Sequence, residues 1–306
     1  MDRRPERDSP NGSGMDLEEQ GSLDGDGAGF GVAIPDQRSA LRQLGGQIYR
    51  AGRPLIAIFV IWEIIGRAFG MSPLLLPRLA DIADAFASGI TSGILFQHIG
   101  LTLFRLFTGF AIGGTVGIVM GIISGRVKAV ADWTVPLAAL FLPIPSLAFA
   151  PLLILWFGLG NFPVIVLVAL ASSMPVFMNC YTGTLTVDPV QVNAAQSMGA
   201  SGRSLFWKVI LPGSLPHVLG GIRVGFARGW RAVIAGEFIA ASGFGLGWFI
   251  FTSKNFLQTA NVLVGIILIG VVGLLVEKIL WERIERKTVV KWGMVENVDR
   301  RARQRI

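Results

Sequence analysis

The sequence of 306 residues has little of what soluble enzymes use for chemistry. Its single cysteine, Cys180, lies inside an apolar run, which excludes a disulfide within the chain and favours a small core residue. The two histidines, His98 and His217, have no cysteine or carboxylate cluster at ligand spacing, so the pattern supports no metal site. Only 15% of the residues are charged, fewer than an ordinary water-soluble domain carries.

The motifs of ATP hydrolysis and of common hydrolases are missing as well. A phosphate-binding loop requires a glycine directly before its lysine, and none of the lysines in this chain follows a glycine. The Gly-x-Ser-x-Gly turn of serine hydrolases and the paired-histidine helix of zinc enzymes do not occur. The sequence therefore predicts a protein that is not an enzyme and has no cofactor. Energy for any work must come from another subunit or from an ion gradient.

Apolar residues, in contrast, make up 52% of the chain. A helix needs about 20 of them to cross roughly 30 Å of hydrocarbon. Six runs reach about that length, at approximately 52–69, 101–124, 133–158, 161–184, 217–241 and 259–281. We therefore predict an all-α, polytopic membrane protein with about six transmembrane helices.

The two ends of the chain differ from these apolar runs. The stretch to about Pro35 is rich in Gly, Asp and Ser and lacks the apolar core of a signal peptide, so residues 1–45 are expected to form a disordered cytoplasmic tail. Residues 50–285 form the predicted membrane domain, and residues 286–306 a basic cytoplasmic tail. The net charge of +7 does not indicate a nucleic-acid partner, because the basic residues gather at the ends of the apolar runs.

Basic residues also indicate how the chain crosses the membrane. With six crossings and both termini inside, most of them lie in cytoplasmic segments, whereas the outer side has chiefly Arg78 and Lys254. The cytoplasmic flanks of membrane helices carry an excess of Lys and Arg. This orientation puts the segment 185–216 in the cytoplasm and a short amphipathic helix, 78–90, on the outer surface.

The polar segment between the fourth and fifth crossings has the signals of two short helices. Asp188 is a suitable N-cap, Pro189 suits the first helical position and Gly199 suits a left-handed stop. After Gly199, the side chains of Leu205, Phe206, Val209 and Ile210 fall on one face of a second helix. Pro212 is expected to end that helix. The segment therefore predicts two short helices that form an elbow, with an apolar ridge that can contact another protein.

Two crossings have unusual small or rigid residues. The second carries glycines every four residues, at Gly109, Gly113, Gly117, Gly121 and Gly125, a spacing that predicts a close helix-packing seam in lipid. The third is interrupted by prolines at Pro136, Pro143, Pro145 and Pro151. Each internal proline removes a helical hydrogen bond, and lipid cannot satisfy the freed carbonyl. We therefore expect a broken helix beside a translocation path.

Charged side chains inside the predicted membrane helices need protein or water around them. Arg223, Arg228 and Arg231 share one side of the fifth crossing. Arg231 is the better candidate for a path residue that attracts an anion, whereas Arg223 and Arg228 fit a structural or snorkelling role near the inner end. Glu63 and Arg105 form a candidate ion pair across the first two crossings, with a structural role.

The elbow carries the sequence pattern of a known family. Ala194, Ala195 and Gly199, followed by Ile210-Leu211-Pro212, resemble the cytoplasmic coupling loop of the membrane subunits of binding-protein-dependent ABC importers. The family motif usually opens with Glu, where this chain has Asn193. The resemblance implies that an ABC ATPase contacts the coupling loop, through Asn193, Ala194, Ala195, Gly199, Leu205, Phe206 and Pro212.

Two further motifs resemble the nitrate, sulfonate, taurine and bicarbonate branch of that family. They are Pro143-x-Pro145 with the following run to Gly158, and the segment from Glu237 to Trp248. The resemblance spans about residues 55–285 and implies a type I importer permease, or MetI-like, fold in a bacterial inner membrane. It also implies an ABC ATPase subunit, a second permease subunit that forms a homodimer with this one, and a periplasmic or lipid-anchored solute-binding protein. By the same resemblance Glu237 lies near the outer mouth, either in a gate or in an interhelical hydrogen bond, and Arg231, Pro143, Pro145 and Pro151 lie along the path.

Two other functions remain open at the level of sequence. A gradient-driven secondary carrier is expected to show internal repeats and paired broken helices with midplane carboxylates, whereas this chain has one proline-broken helix. A non-transporting membrane scaffold would use the elbow to recruit a protein other than an ATPase. The importer hypothesis predicts a small, anionic solute and leaves its identity open.

Overall fold

A computed structural model describes residues 53–54, 57–70 and 72–287. The chain divides into two units, Met1–Ala57 and Ile58–Ile306, and the second carries the features described below. The predicted N-terminal tail, 1–45, and nearly all of the predicted C-terminal tail, 286–306, lie outside the described residues.

The described part of the chain is helical throughout and contains no β-strand, which confirms the predicted all-α class. Helix α1 covers residues 57–68. The other helices are α2 (Leu79–Thr91), α3 (Ile94–Arg126), α4 (Lys128–Phe141), α5 (Ala150–Phe157), α6 (Asn161–Leu185), α7 (Pro189–Ser197), α8 (Gly202–Leu205), α9 (Leu211–Ile239), α10 (Leu246–Asn255) and α11 (Thr259–Lys287). A 3-10 helix, Ser146–Phe149, precedes α5, and a π-helix, Phe206–Ile210, precedes α9.

Four stretches among the described residues are long and apolar enough to cross a membrane. They are Ile94–Arg126, Asn161–Leu185, Gly202–Ile239 and Thr259–Trp281. A fifth candidate is the pair Lys128–Phe141 and Ser146–Phe157, which is bent by 92° at the break between its two parts. The predicted break in this apolar run is therefore confirmed, and its crossing of the membrane stays a prediction. The predicted run 52–69 lies partly outside the described residues, so the count of six crossings stays a prediction.

The centre of the fold is α6, which packs between α3 and α9 at short range. A Cβ atom built on Gly109 or Gly117 of α3 would lie 2.6 Å from a backbone carbonyl oxygen of α6. The other three glycines of the predicted stripe, Gly113, Gly121 and Gly125, also face α6. Only a residue without a side chain allows the two backbones to approach so closely.

Helix α9 also approaches α6 closely, with a second set of glycines. A Cβ on Gly225 would lie 3.0 Å from the Ser172 carbonyl oxygen, and one on Gly229 would lie 2.7 Å from the Ser172 hydroxyl. Buried apolar side chains fill the remaining space, among them Leu106, Val164, Val168, Phe226 and Val233. The three helices therefore pack against one another as a single tight group.

Helices α2, α10 and α11 pack beside the first turns of α3. A smaller apolar cluster of Leu95, Leu246, Val264 and Leu268 joins α3, α10 and α11. The predicted amphipathic helix is observed as α2, Leu79–Thr91, and Gly89 of that helix packs against Leu95. Helix α10, in contrast, was not predicted as a separate element, because its ten residues continue an apolar stretch without a strong start signal.

Candidate functional site: a cavity at a broken helix

The chain turns sharply where α4 ends, because two prolines follow in close succession. Pro143 and Pro145 have no backbone N–H and cannot continue the helical hydrogen-bond pattern. The turn is closed by two other bonds: Ile144 N–H donates to the Phe141 carbonyl at 3.1 Å, and Ala148 N–H donates to the Pro145 carbonyl at 2.9 Å. The break therefore exposes an irregular backbone segment between α4 and α5.

A cavity of about 570 Å³ lies between this break, α6 and α9. The break contributes Phe141, Leu142, Pro143, Ile144, Pro145, Ser146, Leu147 and Phe149, α6 contributes Leu170, Ala171 and Met174, and α9 contributes Arg228, Arg231, Ala232 and Ala235. Most of this wall is apolar, and its charged side chains are both arginines. The structure thus brings Pro143, Pro145 and Arg231 to one cavity, and their place along a translocation path stays a prediction.

Arg228 is an unexpected member of this wall. It lies 17 residues after the start of α9 at Leu211, about 25 Å along the axis, and Arg231 lies 8 residues before its end at Ile239, about 12 Å. From the sequence we predicted a structural or snorkelling role for Arg228 near the inner end of the fifth crossing. The span that contains Arg228 begins at Gly202, so Arg228 lies 26 residues after the start of that span.

Both arginines are exposed in the described chain, and neither forms a salt bridge with a residue that the structure describes. Arg231 Nε donates to the Ala227 carbonyl one turn earlier, at 3.1 Å, which holds the side chain along the helix. Arg223 has different surroundings: its guanidinium lies 3.7 Å from Glu277 and 5.8 Å from the centre of the Trp281 ring. Arg223 is therefore held against α11 and is absent from the cavity wall.

A second groove, of about 500 Å³, opens on the other side of Arg231. Its wall is formed by Leu147, Trp230, Arg231, Ile234, Ala235, Phe238, Ile239 and Ile269. Leu147, Arg231 and Ala235 line both spaces, so Arg231 stands on the ridge between them.

Glu237 and Pro151, two other predicted path residues, do not line either space. Pro151 is in the first turn of α5, where a missing N–H breaks no helical bond. Glu237 is fully buried and forms an ion pair with Arg105 Nη1 at 2.8 Å. The interhelical interaction considered for Glu237 is thus present, and the expected pair of Glu63 with Arg105 is wrong. Glu63 instead pairs with Arg67 at 2.7 Å, one turn away on α1.

Thr102 and Asn161 complete the surroundings of this buried ion pair. The Thr102 hydroxyl donates to the Glu237 carboxylate at 2.9 Å and accepts the Leu246 N–H at 2.8 Å. Arg105 Nε and Nη2 donate to the Asn161 side-chain oxygen at 2.9 and 2.7 Å. The network, which we call the Arg105–Glu237 clamp, therefore joins α3, α6, α9 and α10.

The loop between α9 and α10 is held by the same clamp. Arg105 Nη1 donates to the Phe244 carbonyl at 2.7 Å, Gly247 N–H donates to Glu237 at 2.9 Å, and Gly245 N–H donates to His98 Nδ1 at 3.0 Å. A Cβ on Gly245 would lie 2.5 Å from the Glu237 carboxyl carbon, and the residue has φ +138°. Glycine is therefore required there both for backbone conformation and for space.

Sequence reasoning missed Thr102, Asn161 and His98 as parts of the clamp. Their polar side chains sit in apolar runs without a local motif that names their partners. The glycines at positions 243, 245 and 247 were part of the segment from Glu237 to Trp248 noted above, and their two-residue spacing after a buried acid was the available signal.

The elbow between α6 and α9 has the predicted caps. The Asp188 side chain accepts the Val190 N–H at 2.8 Å, Pro189 is the first residue of α7, and Gly199 has φ +86° after its end. Asn193 and Ala194 are exposed on α7, whereas Ala195 is 6% exposed and faces inward.

The second part of the elbow corrects two expectations. Pro212 does not end a helix: it lies in the first turn of α9, and the π-helix Phe206–Ile210 carries the chain into α9 without interruption. A π-helix uses wider hydrogen-bonded turns, and a proline at a helix start removes no required donor. The expected apolar ridge is also turned inward, because Leu205 and Ile210 are 3% and 1% exposed and pack against Val187 and Ala195.

Other apolar side chains form the outer surface of the elbow. Val190, Met198 and Trp207 are 71%, 81% and 57% exposed, and they lie outside the buried elbow cluster. The elbow is therefore a small unit with its own core and with separate apolar side chains available to a partner. Its basic residues Arg203 and Lys208 are exposed on the same unit.

Comparison with known proteins places these features in a family. Residues 113–289, more than half of the chain, match the family described as "Binding-protein-dependent transport system inner membrane component". The taurine transport system permease protein TauC of Escherichia coli is 37% identical over 232 residues, covering 73% of this chain and 82% of TauC. An aliphatic sulfonates transport permease protein, SsuC of Bacillus subtilis, is 33% identical over 235 residues, covering 77% of this chain and 84% of SsuC.

A more distant relative extends the same group. The nitrate import permease protein NrtB of Synechocystis is 26% identical over 240 residues, covering 74% of this chain and 86% of NrtB. These relatives are permease subunits, and they match the branch that the sequence motifs indicated. With its helical, multi-span architecture, the chain belongs to the ABC importer permeases, the family of binding-protein-dependent transport system inner membrane components.

Proposed function

We propose that this chain is the pore-forming permease subunit of an ATP-driven importer and that it carries a small anion across a bacterial inner membrane. The observation that carries the proposal is the cavity at the helix break, where Arg228 and Arg231 are the charged residues of a largely apolar wall. An irregular backbone at membrane depth is tolerated where it lines a cavity. Charged side chains within a membrane span commonly mark a substrate path.

The solute is small and carries an anionic group, as do taurine, other sulfonates, nitrate and bicarbonate. The relatives TauC, SsuC and NrtB are named for taurine, aliphatic sulfonates and nitrate. Two cationic side chains facing one cavity match the charge that the anionic group of such solutes brings. The solutes named for the relatives and the two arginines of the cavity therefore both favour a solute with a negatively charged group.

The elbow, 185–216, is the proposed contact with a separate ABC ATPase. Its own apolar core makes it a compact body, and exposed Val190, Met198 and Trp207 give it an apolar contact surface. Asn193, Ala194 and Gly199 lie on its exposed side, whereas Leu205 and Ala195 hold its core. Phe206, half-buried, and Pro212 lie where the elbow joins α9.

The connection from the elbow to the cavity is continuous. Helical structure runs without a break from Gly202 to Ile239. The second part of the elbow lies at the start of this helical stretch, and Arg228 and Arg231 lie nearer its end. ATP binding would close a pair of ATPase subunits and draw two elbows together. The permease would then switch access to the cavity from one side of the membrane to the other.

The complete complex would contain further partners. They are a second permease subunit, identical to this one, and a solute-binding protein in the periplasm or on a lipid anchor at the outer side. In this complex both termini of the chain lie in the cytoplasm. The orientation is supported by the excess of basic residues in the segments assigned to the cytoplasm. The proposal includes six crossings, one of them near 52–69.

Transport by the purified complex tests the proposal. The chain is reconstituted in vesicles with its ATPase and binding protein, and uptake of labelled taurine, ethanesulfonate or nitrate is measured. We expect uptake that requires ATP, both partners and an intact ATPase. Uptake that persists without the ATPase and stops when the proton or sodium gradient is removed would indicate a secondary carrier instead. Purification with a non-ATPase partner and no uptake would indicate a scaffold.

A further inference from the structure

The cavity at the helix break has two physical properties that bear on which anion it accepts. The first is the charge of Arg228 and Arg231. These side chains are three residues apart on one face of α9, and like charges at this spacing repel each other. Since neither is paired within the part of the chain that the structure describes, an anion between them would relieve this repulsion.

The second property is the apolar remainder of the wall. Phe141, Ile144, Leu147, Leu170 and Met174 surround the space that the arginines face. A bare inorganic anion that leaves water for such a site loses hydration along most of its surface and regains only the contacts with the arginines. A short aliphatic group attached to the anion would instead bury apolar surface against these side chains, at roughly 25 cal/mol per Å².

The size of the cavity agrees with such a solute. Ligand sites that bury small molecules have volumes of roughly 300–1,000 Å³ and are mostly apolar, with a few polar groups that fix orientation. The cavity of about 570 Å³ is in this range, and Ser146 provides a hydroxyl on the part of the wall formed by the helix break. It exceeds what a three- or four-atom inorganic ion needs.

We propose that this cavity is a cargo-binding subsite of the permease itself, in which Arg228 and Arg231 bind the anionic group and the apolar wall accommodates a short aliphatic body. The permease thereby favours a small organic monoanion, such as an alkanesulfonate, over an inorganic anion, and adds its own selection to that of any binding protein. This inference rests on the proposed transport function and deepens it.

Cysteine labelling tests the site without measuring transport. The single cysteine, Cys180, is buried, so Cys180→Ala provides a background for a cysteine introduced into the cavity. Ser146→Cys places a thiol on the part of the cavity wall formed by the helix break, and Ala235→Cys repeats the test from α9. Each is reacted with an anionic, sulfonatoethyl methanethiosulfonate and with a cationic, trimethylammonium-ethyl one, in the full complex in vesicles of neutral phosphatidylcholine.

The ratio of the two reaction rates measures the local electrostatic potential. We expect the anionic reagent to be favoured, and Arg228→Gln with Arg231→Gln to lower the ratio roughly tenfold, since both charges act on it at short range. The matched control is Arg223→Gln on the same helix, which is held by Glu277 and Trp281 and should change the ratio less than about twofold. An unchanged ratio in the double variant would overturn the proposal. Failure of both introduced cysteines to react would also overturn it.

Protection from labelling tests the preference for an organic anion. We expect ethanesulfonate to slow modification of Ser146→Cys at concentrations at least about tenfold lower than those at which nitrate does so, and to lose this effect in the double arginine variant. Equal protection by nitrate would overturn the inferred selectivity. Protection by added anionic lipid but not by ethanesulfonate would identify a headgroup site and would overturn the cargo assignment.

The labelling experiment and the transport experiment test separate proposals, and either proposal can fail while the other stands. If uptake proves independent of the ATPase while the charge-dependent labelling is present, the importer mechanism fails and the anion subsite stands. If ATP-driven uptake is intact and the labelling ratio does not respond to the arginines, the subsite fails and the importer proposal stands.

Discussion

Arg105 and Glu237 form a fully buried ion pair with an Nη1–Oε1 distance of 2.8 Å, although 132 residues separate them in the sequence. Each also has neutral partners: Asn161 accepts from Arg105, and Thr102 and Gly247 N–H donate to Glu237. A buried charge without such partners is very costly, so the clamp forms as a whole or is lost as a whole.

Removing one charge from the clamp should destabilise the protein strongly. Glu237→Gln leaves the Arg105 guanidinium buried without an anion, and we expect a loss of about 3 kcal/mol or more in the free energy of unfolding. The midpoint of thermal unfolding in detergent measures it. The double change Arg105→Met with Glu237→Met should be less harmful than Glu237→Gln alone. Glu63→Gln, at an exposed pair, serves as the control and should leave the midpoint unchanged.

Two neighbouring glycines of the loop between α9 and α10 should respond differently to alanine. At Gly245 the new Cβ would meet the Glu237 carboxyl carbon at 2.5 Å, and we expect a loss of about 3 kcal/mol with poor yield of folded protein. At Gly243, which has φ +88° and no atom within 4 Å of the new Cβ, the cost should be about 1 kcal/mol from the backbone alone. Equal effects of the two changes would contradict the described packing of the clamp.

The seam between α3 and α6 allows a similarly close comparison. Gly117→Ala would place a Cβ 2.6 Å from the Ser173 carbonyl oxygen, which forces the helices apart and should cost about 2 kcal/mol or more. Gly114→Ala, less than one turn away, meets only the Phe110 ring at 3.7 Å and should be neutral or stabilising by up to about 1 kcal/mol. Thermal unfolding of both variants in the same detergent decides whether the stripe is a packing seam.

Arg231 should affect transport without affecting the stability of the protein. Because it stands on the ridge between two open spaces and has no ion pair among the described residues, we expect Arg231→Gln to lower uptake about tenfold or more. Cargo-stimulated ATP hydrolysis should fall with it, while the unfolding midpoint stays the same. If both uptake and stimulated hydrolysis remain at the level of the unchanged protein, Arg231 is not a path residue.

The outer surface of the elbow should determine binding of the ATPase. Met198 is 81% exposed, so Met198→Asp should leave the fold intact and weaken copurification of the ATPase subunit about tenfold or more. Met198→Leu keeps an apolar side chain of similar size and should bind normally. Copurification that is insensitive to Met198→Asp would remove this side chain from the contact.

The sequence was sufficient for features that depend on neighbouring residues. The glycine spacing from Gly109 to Gly125 identified the helix face that meets α6, and Asp188 and Gly199 marked the ends of the first elbow helix, because these signals act within one or two turns. The prolines at 143 and 145 placed the break for the same reason.

Features that depend on distant partners were not accessible in this way. Glu63 and Glu237 are both acids in apolar surroundings, and nothing local distinguishes the one that pairs with Arg105. Likewise, the ridge of Leu205 and Ile210 was correctly grouped on one helix face, but its direction depends on Val187 and Ala195, which fold back to cover it. The place of Arg228 in the cavity wall was not predicted either, because that wall also needs the break after α4 and part of α6, which are distant from Arg228 in the sequence.

The position of the clamp has a mechanical consequence for α9. Glu237 is six residues beyond Arg231 and 26 beyond Leu211, which correspond to about 9 Å and about 39 Å along the axis. If the helix tilts as a rigid rod about this fixed end, a displacement of about 4 Å near the elbow shifts the backbone at Arg231 by only about 1 Å. A larger movement near the elbow would thus produce only a small movement of the backbone at the cavity wall. That small movement is sufficient to make or break a hydrogen bond.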